Sequence, residues 1–141
     1  MRWLFLSLLG LCLFWETTVS AAADGRCIDL RNDEGVYVEI TLRGFLAYKT
    51  GNHPTRGEFA GTVLVLEKAA CFDDSGEDMD SGYRDMIVSN VSHVHLTGFE
   101  RMPDHGRPVT VTGKGFLSHT AWHLTRVLID IDSIELLPLE E

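Results

Sequence analysis

Alternation of apolar and polar positions dominates the chain after its first 23 residues, and it predicts strands instead of helices. In residues 36–43, every second side chain is aliphatic, which gives an extended strand one apolar face. Gly44 interrupts this alternation before the apolar residues 45–48. Because a glycine inside a strand commonly marks a bend or a bulge, we expect one long strand that curls at Gly44.

Four further segments have strand character. They are residues 62–67, 91–97, 109–116 and 126–136. In the last of them, aliphatic residues on one face alternate with acids on the other: Val127, Ile129 and Ile131 against Asp130 and Asp132.

The intervening segments predict loops. Residues 50–61 and 103–108 are interrupted by glycine and proline, and residues 73–85 contain six acids, which predicts a solvated loop. Five strands with irregular connections predict an all-β fold, and a small five-stranded OB-like barrel is the first choice. A β-sandwich or another small open sheet is the alternative.

The N-terminus has the order of charge, apolar run and small residues that is typical of a secretory signal peptide. Arg2 precedes the apolar run from Trp3 to Trp15, and small residues follow at 20–23. The apolar run is shorter than the roughly 20 residues that a membrane-spanning helix needs. We therefore expect a cleavable signal peptide at 1–22, a single β-barrel-like domain at 23–141, a periplasmic or secreted location, and no membrane anchor after cleavage.

The cysteines fit an exported domain. Cys12 falls within the predicted signal, which leaves Cys27 and Cys71. In an oxidising compartment, such a pair predicts a disulfide, and closing a loop of about 45 residues stabilises the fold by about 3 to 4 kcal/mol.

Charge limits the class of partner. The chain has 21 acids against 12 lysines and arginines, for a formal net charge of -9. Because phosphate backbones are bound by lysine and arginine, this balance argues against nucleic acid. A protein partner, which could be cationic, fits better.

Histidine is the side chain best suited to catalysis or metal binding here, because it titrates near neutrality and commonly binds metals. His93 and His95 share one face of a predicted strand, and His119 and His123 lie in the connection between the last two strands. His119 and His123 could bind zinc or copper together with His53 or His93, but their spacing is loose and we predict neither a metal nor another cofactor.

Catalytic motifs are not evident. Ser118 adjoins His119, but neighbours along a strand project to opposite faces and do not form a catalytic pair. No nucleophile elbow, phosphate loop or zinc-protease helix motif is present in the sequence. A non-enzymatic role is favoured, with a hydrolase that uses an unrecognised site as a further hypothesis.

Aromatic and histidine side chains near predicted loops are the candidates for binding a partner, because loops usually carry specificity. The candidates are His53, Phe59, His119, Trp122 and His123, with Tyr48 beside them. Trp122, in a turn between strands, either caps the barrel or meets a partner.

The stretch from Val109 to Leu128 resembles the signature of a bacterial family known as domain of unknown function 4431. The matching positions are Val109 to Gly113, Phe116, His119, Thr120, His123 and Thr125. The resemblance implies a small exported bacterial β domain and supports the fold, but it implies no activity. Leu117, Trp122 and Leu124 stand where that family has a histidine-rich segment.

These observations lead to two functional hypotheses. The first is a non-enzymatic periplasmic binding domain, for example an immunity or inhibitor protein that binds a protein in the cell envelope. The alternative is an envelope stress protein that binds a metal or small ligand through His119 and His123.

Overall fold

The computed structural model describes residues 25–75 and 86–139. In this part of the chain no helix is long and apolar enough to cross a membrane. The predicted signal peptide, and residues 76–85 of the predicted acidic loop, lie outside the described residues. Six strands form one sheet: β1 (Ile28–Asp29), β2 (Glu39–His53), β3 (Gly57–Asp73), β4 (Ile87–Thr97), β5 (Pro108–Leu117) and β6 (Val127–Leu136).

The five long strands close into a ring. Strand β2 pairs with β3 and β5, β6 pairs with β5 and β4, and β4 returns to β3. The pairing of β4 with β6 is parallel, whereas the other four pairings of the ring are antiparallel. The short β1 adds to β3 outside the ring. The predicted all-β fold with five strands in a closed OB-like arrangement is therefore confirmed.

The core lies inside this ring, where the apolar faces of the strands meet. On β6 the expected alternation is present: Val127, Ile129 and Ile131 are buried, and Asp130 and Asp132 are exposed. The same cluster contains the inward aliphatic and aromatic residues of the other strands, including Ile40, Leu42, Leu46, Leu64, Phe72, Val94, Leu96, Val109 and Val111. Burial of this continuous apolar surface is the main stabilising contribution to the fold.

Strand β2 pairs with both of its neighbours at Gly44, where the sequence predicts an interruption of the strand. Gly44 pairs with Leu66 of β3 and with Val109 of β5. A Cβ atom at this position would lie 2.1 Å from the carbonyl oxygen of Val65, so no larger residue fits without moving the backbone. The close approach of β2 and β3 at Gly44 and Val65 allows β2 to pair with β3 while it remains paired with β5.

The disulfide between Cys27 and Cys71 is present and joins residues 44 positions apart, with the two Cα atoms 4.4 Å apart. The two segments that the disulfide joins are also held together by a buried ion pair, in which Arg31 Nε lies 2.7 Å from Asp74 Oδ1. Asp74 is only 2% exposed, so the expectation that all acids of residues 73–85 are solvated is wrong at this position. Tyr37 joins the pair, and burial followed by the nearby Asp74 carboxylate raises the pKa of its hydroxyl.

Two boundaries of the predicted strands also need correction. Residues 50–61 are not a loop: β2 and β3 stay paired up to His53 and Gly57, which leaves a tight turn at residues 54–56. At the other end, β2 begins at Glu39, and Val36 is 56% exposed instead of facing the core. Gly51 and Asn52 suggested a loop, but backbone pairing across the hairpin satisfies their polar groups in extended form.

Candidate binding face at the β5–β6 connection

The connection between β5 and β6, residues 118–126, folds back onto the outer surface of the ring. Val63, Leu124 and Leu128 are each at most 9% exposed, yet they lie outside the main core cluster. Val63 and Leu128 are both strand partners of His95. The connection therefore builds a second, smaller apolar cluster on the outside of the ring, with Leu124 as its central side chain.

Two glycines of the β2–β3 hairpin allow this close packing. A Cβ atom at Gly51 would lie 2.8 Å from Cδ2 of Leu124, and one at Gly61 would lie 2.8 Å from Cδ1 of the same residue. These distances are shorter than carbon atoms tolerate without displacement. Because Gly51 and Gly61 have no side chains, Leu124 packs directly on the backbone of the hairpin.

Short-range hydrogen bonds hold the connection in one conformation. Thr120 accepts from the backbone N–H groups of two residues: Trp122 donates to its Oγ1 at 3.3 Å, and His123 donates to its carbonyl oxygen at 3.3 Å. The backbone N–H of His119 donates to Nδ1 of His123 at 3.1 Å. The tip around Trp122 is therefore constrained although it contains no regular secondary structure.

Two more hydrogen bonds fasten the connection to β4. The backbone N–H of Leu124 donates to Nδ1 of His95 at 3.3 Å, and the N–H of His95 donates to Oγ1 of Thr125 at 2.8 Å. The Thr125 hydroxyl in turn donates to the carbonyl oxygen of Val127 at 2.6 Å. His95 of β4 thereby holds the connection through two of its residues, Leu124 and Thr125.

These contacts fix the proton positions on two histidines. Because a backbone N–H can only donate, Nδ1 of His95 and Nδ1 of His123 must each present a lone pair, which places the ring proton on Nε2. Burial and the nearby His123 lower the pKa of His95, and burial and the nearby His119 lower the pKa of His123. Both rings therefore favour the neutral form.

The exposed part of the connection is an aromatic surface. The ring of Trp122 stacks on His53 with centroids 4.1 Å apart, and Phe59 meets it edge-on at 5.1 Å. The guanidinium carbon of Arg56 lies 5.9 Å from the centroid of the indole. Trp122 nevertheless remains 42% exposed. We call the surface formed by His53, Arg56, Phe59 and Trp122 the aromatic face.

The structure brings all five predicted binding candidates into this region. His53 and Phe59 contact Trp122, whereas His119 and His123 lie in the same connection and pack against each other, with ring centroids 4.9 Å apart, and against Phe116. The ring of Tyr48 lies elsewhere, against His105. Trp122 does not cap the interior of the ring, because it lies over the end of the β2–β3 hairpin.

Sequence reasoning missed three contributors. Arg56 lies in the turn that was predicted as part of a long loop, and Leu124 looked like one more apolar residue in an irregular connection. His95 was noticed only as the partner of His93, although its backbone and ring anchor the connection. The threonine and histidine spacing within residues 118–126 was the signal of a built turn, because these side chains often bond to nearby backbone groups.

The arrangement does not favour the metal alternative. Nδ1 of His123 already accepts a backbone hydrogen bond and Nε2 carries the proton, so the ring offers a metal ion no free lone pair. Within residues 25–75 and 86–139, no group of three or more histidines, cysteines and acids is placed to hold a metal ion.

A catalytic histidine is not evident either. Oγ of Ser92 lies 2.8 Å from Nδ1 of its neighbour His93, the kind of contact that a nucleophile and its base make. Among the described hydrogen bonds and ion pairs, none joins His93 to a carboxylate that would orient it. Within the described part of the chain, the pair therefore has no third group of a hydrolytic triad.

Comparison with known proteins points to the same part of the chain. Among curated proteins and among solved structures, none matches this chain. A family model matches residues 93–135, which run from the second half of β4 through β5 and the connection into β6. The matched segment contains Trp122 and the connection that holds it, but not the hairpin residues of the aromatic face, and in this segment the chain is similar to a domain of unknown function (DUF4431), which confirms the resemblance seen in the sequence.

Proposed function

We propose that this protein is a non-enzymatic binding domain of the cell envelope, periplasmic or secreted, that contacts a protein partner through the aromatic face. The observation that carries the proposal is the state of Trp122. Its indole is 42% exposed, yet it is stacked on His53 and held on a connection whose backbone is hydrogen-bonded on both sides.

An exposed tryptophan in a fixed position is well suited to bind. Tryptophan, tyrosine and arginine are the residues that most often contribute large shares of binding energy at protein interfaces. Ordering a side chain on association costs about 0.5 to 1.5 kcal/mol, and contacts that hold Trp122 in the free protein reduce that cost. Arg56 beside the indole adds a second side chain of the favoured type.

Charge supports a partner with a basic surface. The chain carries a formal net charge of -9, and long-range attraction accelerates the encounter with a cationic protein. Because Arg56 is the positive group of the aromatic face, this attraction comes from the net charge of the whole chain.

The resemblance to the family supports a division of roles within the connection. The matching residues His119, Thr120, His123 and Thr125 supply its internal hydrogen bonds. Trp122 stands in the segment where that family is rich in histidine. Binding domains that have different partners require the same hydrogen-bonded backbone in such a connection and different exposed side chains on it.

The proposed export of the protein is supported by the N-terminal pattern and by the disulfide. Disulfides persist in oxidising compartments such as the bacterial periplasm, and the Cys27–Cys71 bond joins two distant parts of this chain. In its most concrete form, the proposal describes an immunity or inhibitor protein for a toxic effector or hydrolase of the envelope. An effector that stays fully toxic when this protein is co-produced would count against that form.

The decisive experiment compares two aromatic residues of equal exposure. Trp122 is 42% exposed on the aromatic face, and Phe45 is 41% exposed on β2. The oxidised domain would be used to capture a partner from periplasmic extract, and the affinity of the purified partner would then be measured for each alanine variant. We expect Trp122→Ala to weaken binding at least about 30-fold and Phe45→Ala less than about fivefold.

Equal effects of the two variants would reject the aromatic face as the contact surface. Circular dichroism and urea unfolding of both variants would separate lost contact from lost fold. His53→Ala provides a second check, because removing the ring under the indole should loosen Trp122 and give an intermediate loss of affinity.

A further inference from the structure

A cavity of about 450 Å³ lies on the opposite face of the β2–β3 hairpin from Trp122. Tyr48 of β2 and Thr62 of β3, which are strand partners, form one wall. The connection between β4 and β5 forms the other wall, with Phe99, Met102 and His105 among its contributors. The cavity is separate from the aromatic face and shares no lining residue with it.

The walls of this cavity combine exposed aromatic rings with acids. Tyr48 is 73% exposed and Phe99 is 41% exposed, so both rings are accessible to a ligand. Glu100 and Asp104 line the same cavity, and neither forms an ion pair with a described lysine or arginine. The negative charge beside the rings is therefore not neutralised by a described basic side chain of the protein.

A polar atom of the cavity wall also lacks a partner. Nε2 of His105 is buried and makes no hydrogen bond to any described residue. Nε of Arg107, two residues further along the same connection, is likewise buried without a described partner, so two described polar atoms of this connection are unsatisfied. The ring of His105 lies against Tyr48, so its Nε2 belongs to the aromatic side of the cavity.

We propose that this cavity binds a small organic cation, an alkylammonium or guanidinium group, either free or at the end of a lysine or arginine side chain. A cation is attracted to the negative face of an aromatic ring and, at the same time, to the carboxylates of Glu100 and Asp104. An anion would be repelled by both acids. A purely apolar ligand would leave their charge uncompensated.

The probes for the test are butylammonium, butylguanidinium and the neutral butanol. Each would be titrated into the isotopically labelled oxidised protein at low salt while backbone amide signals are followed by NMR. We expect both cations to shift the signals of Tyr48 and of residues 99–105, with a dissociation constant in the range of roughly 1 mM that weakens as salt is added. Butanol should cause much smaller shifts.

Three variants test which groups bind. Glu100→Gln combined with Asp104→Asn should weaken cation binding about 10-fold, and Tyr48→Ala should weaken it by a similar factor. Glu39→Gln, an exposed acid at the start of β2, is the matched control and should leave the affinity unchanged. Trp122→Ala should also leave it unchanged, so that failure of this proposal and failure of the proposed function can be told apart.

Three results would overturn the cation site. One is that butanol shifts the same signals as strongly as butylammonium. Another is that the charge variants bind the cations as tightly as the unmodified protein. The third is that no cation causes saturable shifts below about 20 mM. If the site is confirmed, capped lysine and arginine amides that bind as tightly as the free amines assign it to a partner's side chain, and much weaker binding of the capped forms assigns it to a free amine.

Discussion

Gly61 and Leu124 provide the sharpest test of how the β5–β6 connection packs on the hairpin. Cδ1 of Leu124 lies 2.8 Å from where a Cβ atom on Gly61 would be, so the leucine occupies space that an alanine at 61 would need. Leu124→Ala and Gly61→Ala should each destabilise the protein, but the two changes together should cost less than their sum.

The magnitudes follow from the contacts. Leu124 is 9% exposed, so truncating it removes buried methyl groups and should reduce the free energy of unfolding by about 2 to 3 kcal/mol, the lower part of the range for buried leucines. Gly61→Ala forces an overlap and should cost about 1 to 2 kcal/mol. Once Leu124 is truncated, the overlap with its Cδ1 is gone and the contact of 3.0 Å with Nε2 of His95 remains, so we expect the coupling between the two sites to be about 1 kcal/mol.

Urea unfolding of the oxidised protein at neutral pH measures all four members of this cycle. Leu136→Ala is the control, because Leu136 is 50% exposed near the end of β6 and its loss should cost less than about 0.5 kcal/mol. If the losses in free energy of unfolding caused by the two substitutions add within about 0.3 kcal/mol, Leu124 does not pack on Gly61.

Three further predictions concern other parts of the fold. Because burial and neighbouring histidines lower the pKa values of His95 and His123, the unfolded chain binds protons first, so stability should fall as the pH drops through about 6.5. Replacing both with glutamine should reduce the shift in urea midpoint between about pH 7.5 and about pH 5.5, and an undiminished shift would contradict this. Replacing Cys27 and Cys71 with serine should lower the free energy of unfolding by about 4 kcal/mol, and a loss below about 1 kcal/mol in the same assay would be inconsistent with the loop that the bond closes. Asp74→Ala should cost about 2 to 4 kcal/mol in thermal or urea unfolding because its arginine partner loses its counter-charge, whereas a loss under about 0.5 kcal/mol would suit a solvated acid.

The fold was largely predictable because strand alternation is a local property. The apolar positions of β6 follow directly from period and residue type, and the special position of Gly44 follows from its residue type; the structure shows the first as burial and the second as a close approach of β3. The full length of the β2–β3 hairpin was not predictable, because Gly51 and Gly57 favour loops locally. Gly51 is held in the paired strand by Phe59 across the hairpin and by the packing of Leu124, which is distant in sequence, whereas Gly57 keeps a left-handed φ of +81° next to the turn.

The candidate site was predictable in part. Residue type and loop position were enough to select His53, Phe59 and Trp122, and the structure places them in contact. The buried state of Asp74 was not predictable from a segment rich in acids, because its partner Arg31 lies 43 positions away. Ion pairs of this kind depend on how the chain closes and leave no local signature.

The hairpin formed by β2 and β3 explains how two candidate sites arise from one element. Side chains alternate between the two faces of a strand, so the hairpin can present different chemistry on each face. Gly51 and Gly61 give one face the smooth surface on which the β5–β6 connection packs, and this places Trp122 at its edge. Tyr48 and Thr62 are on the other face and line the cavity. Because neighbouring positions along each strand serve different sites, single substitutions can remove one site and leave the other intact, and each proposal can fail without affecting the other.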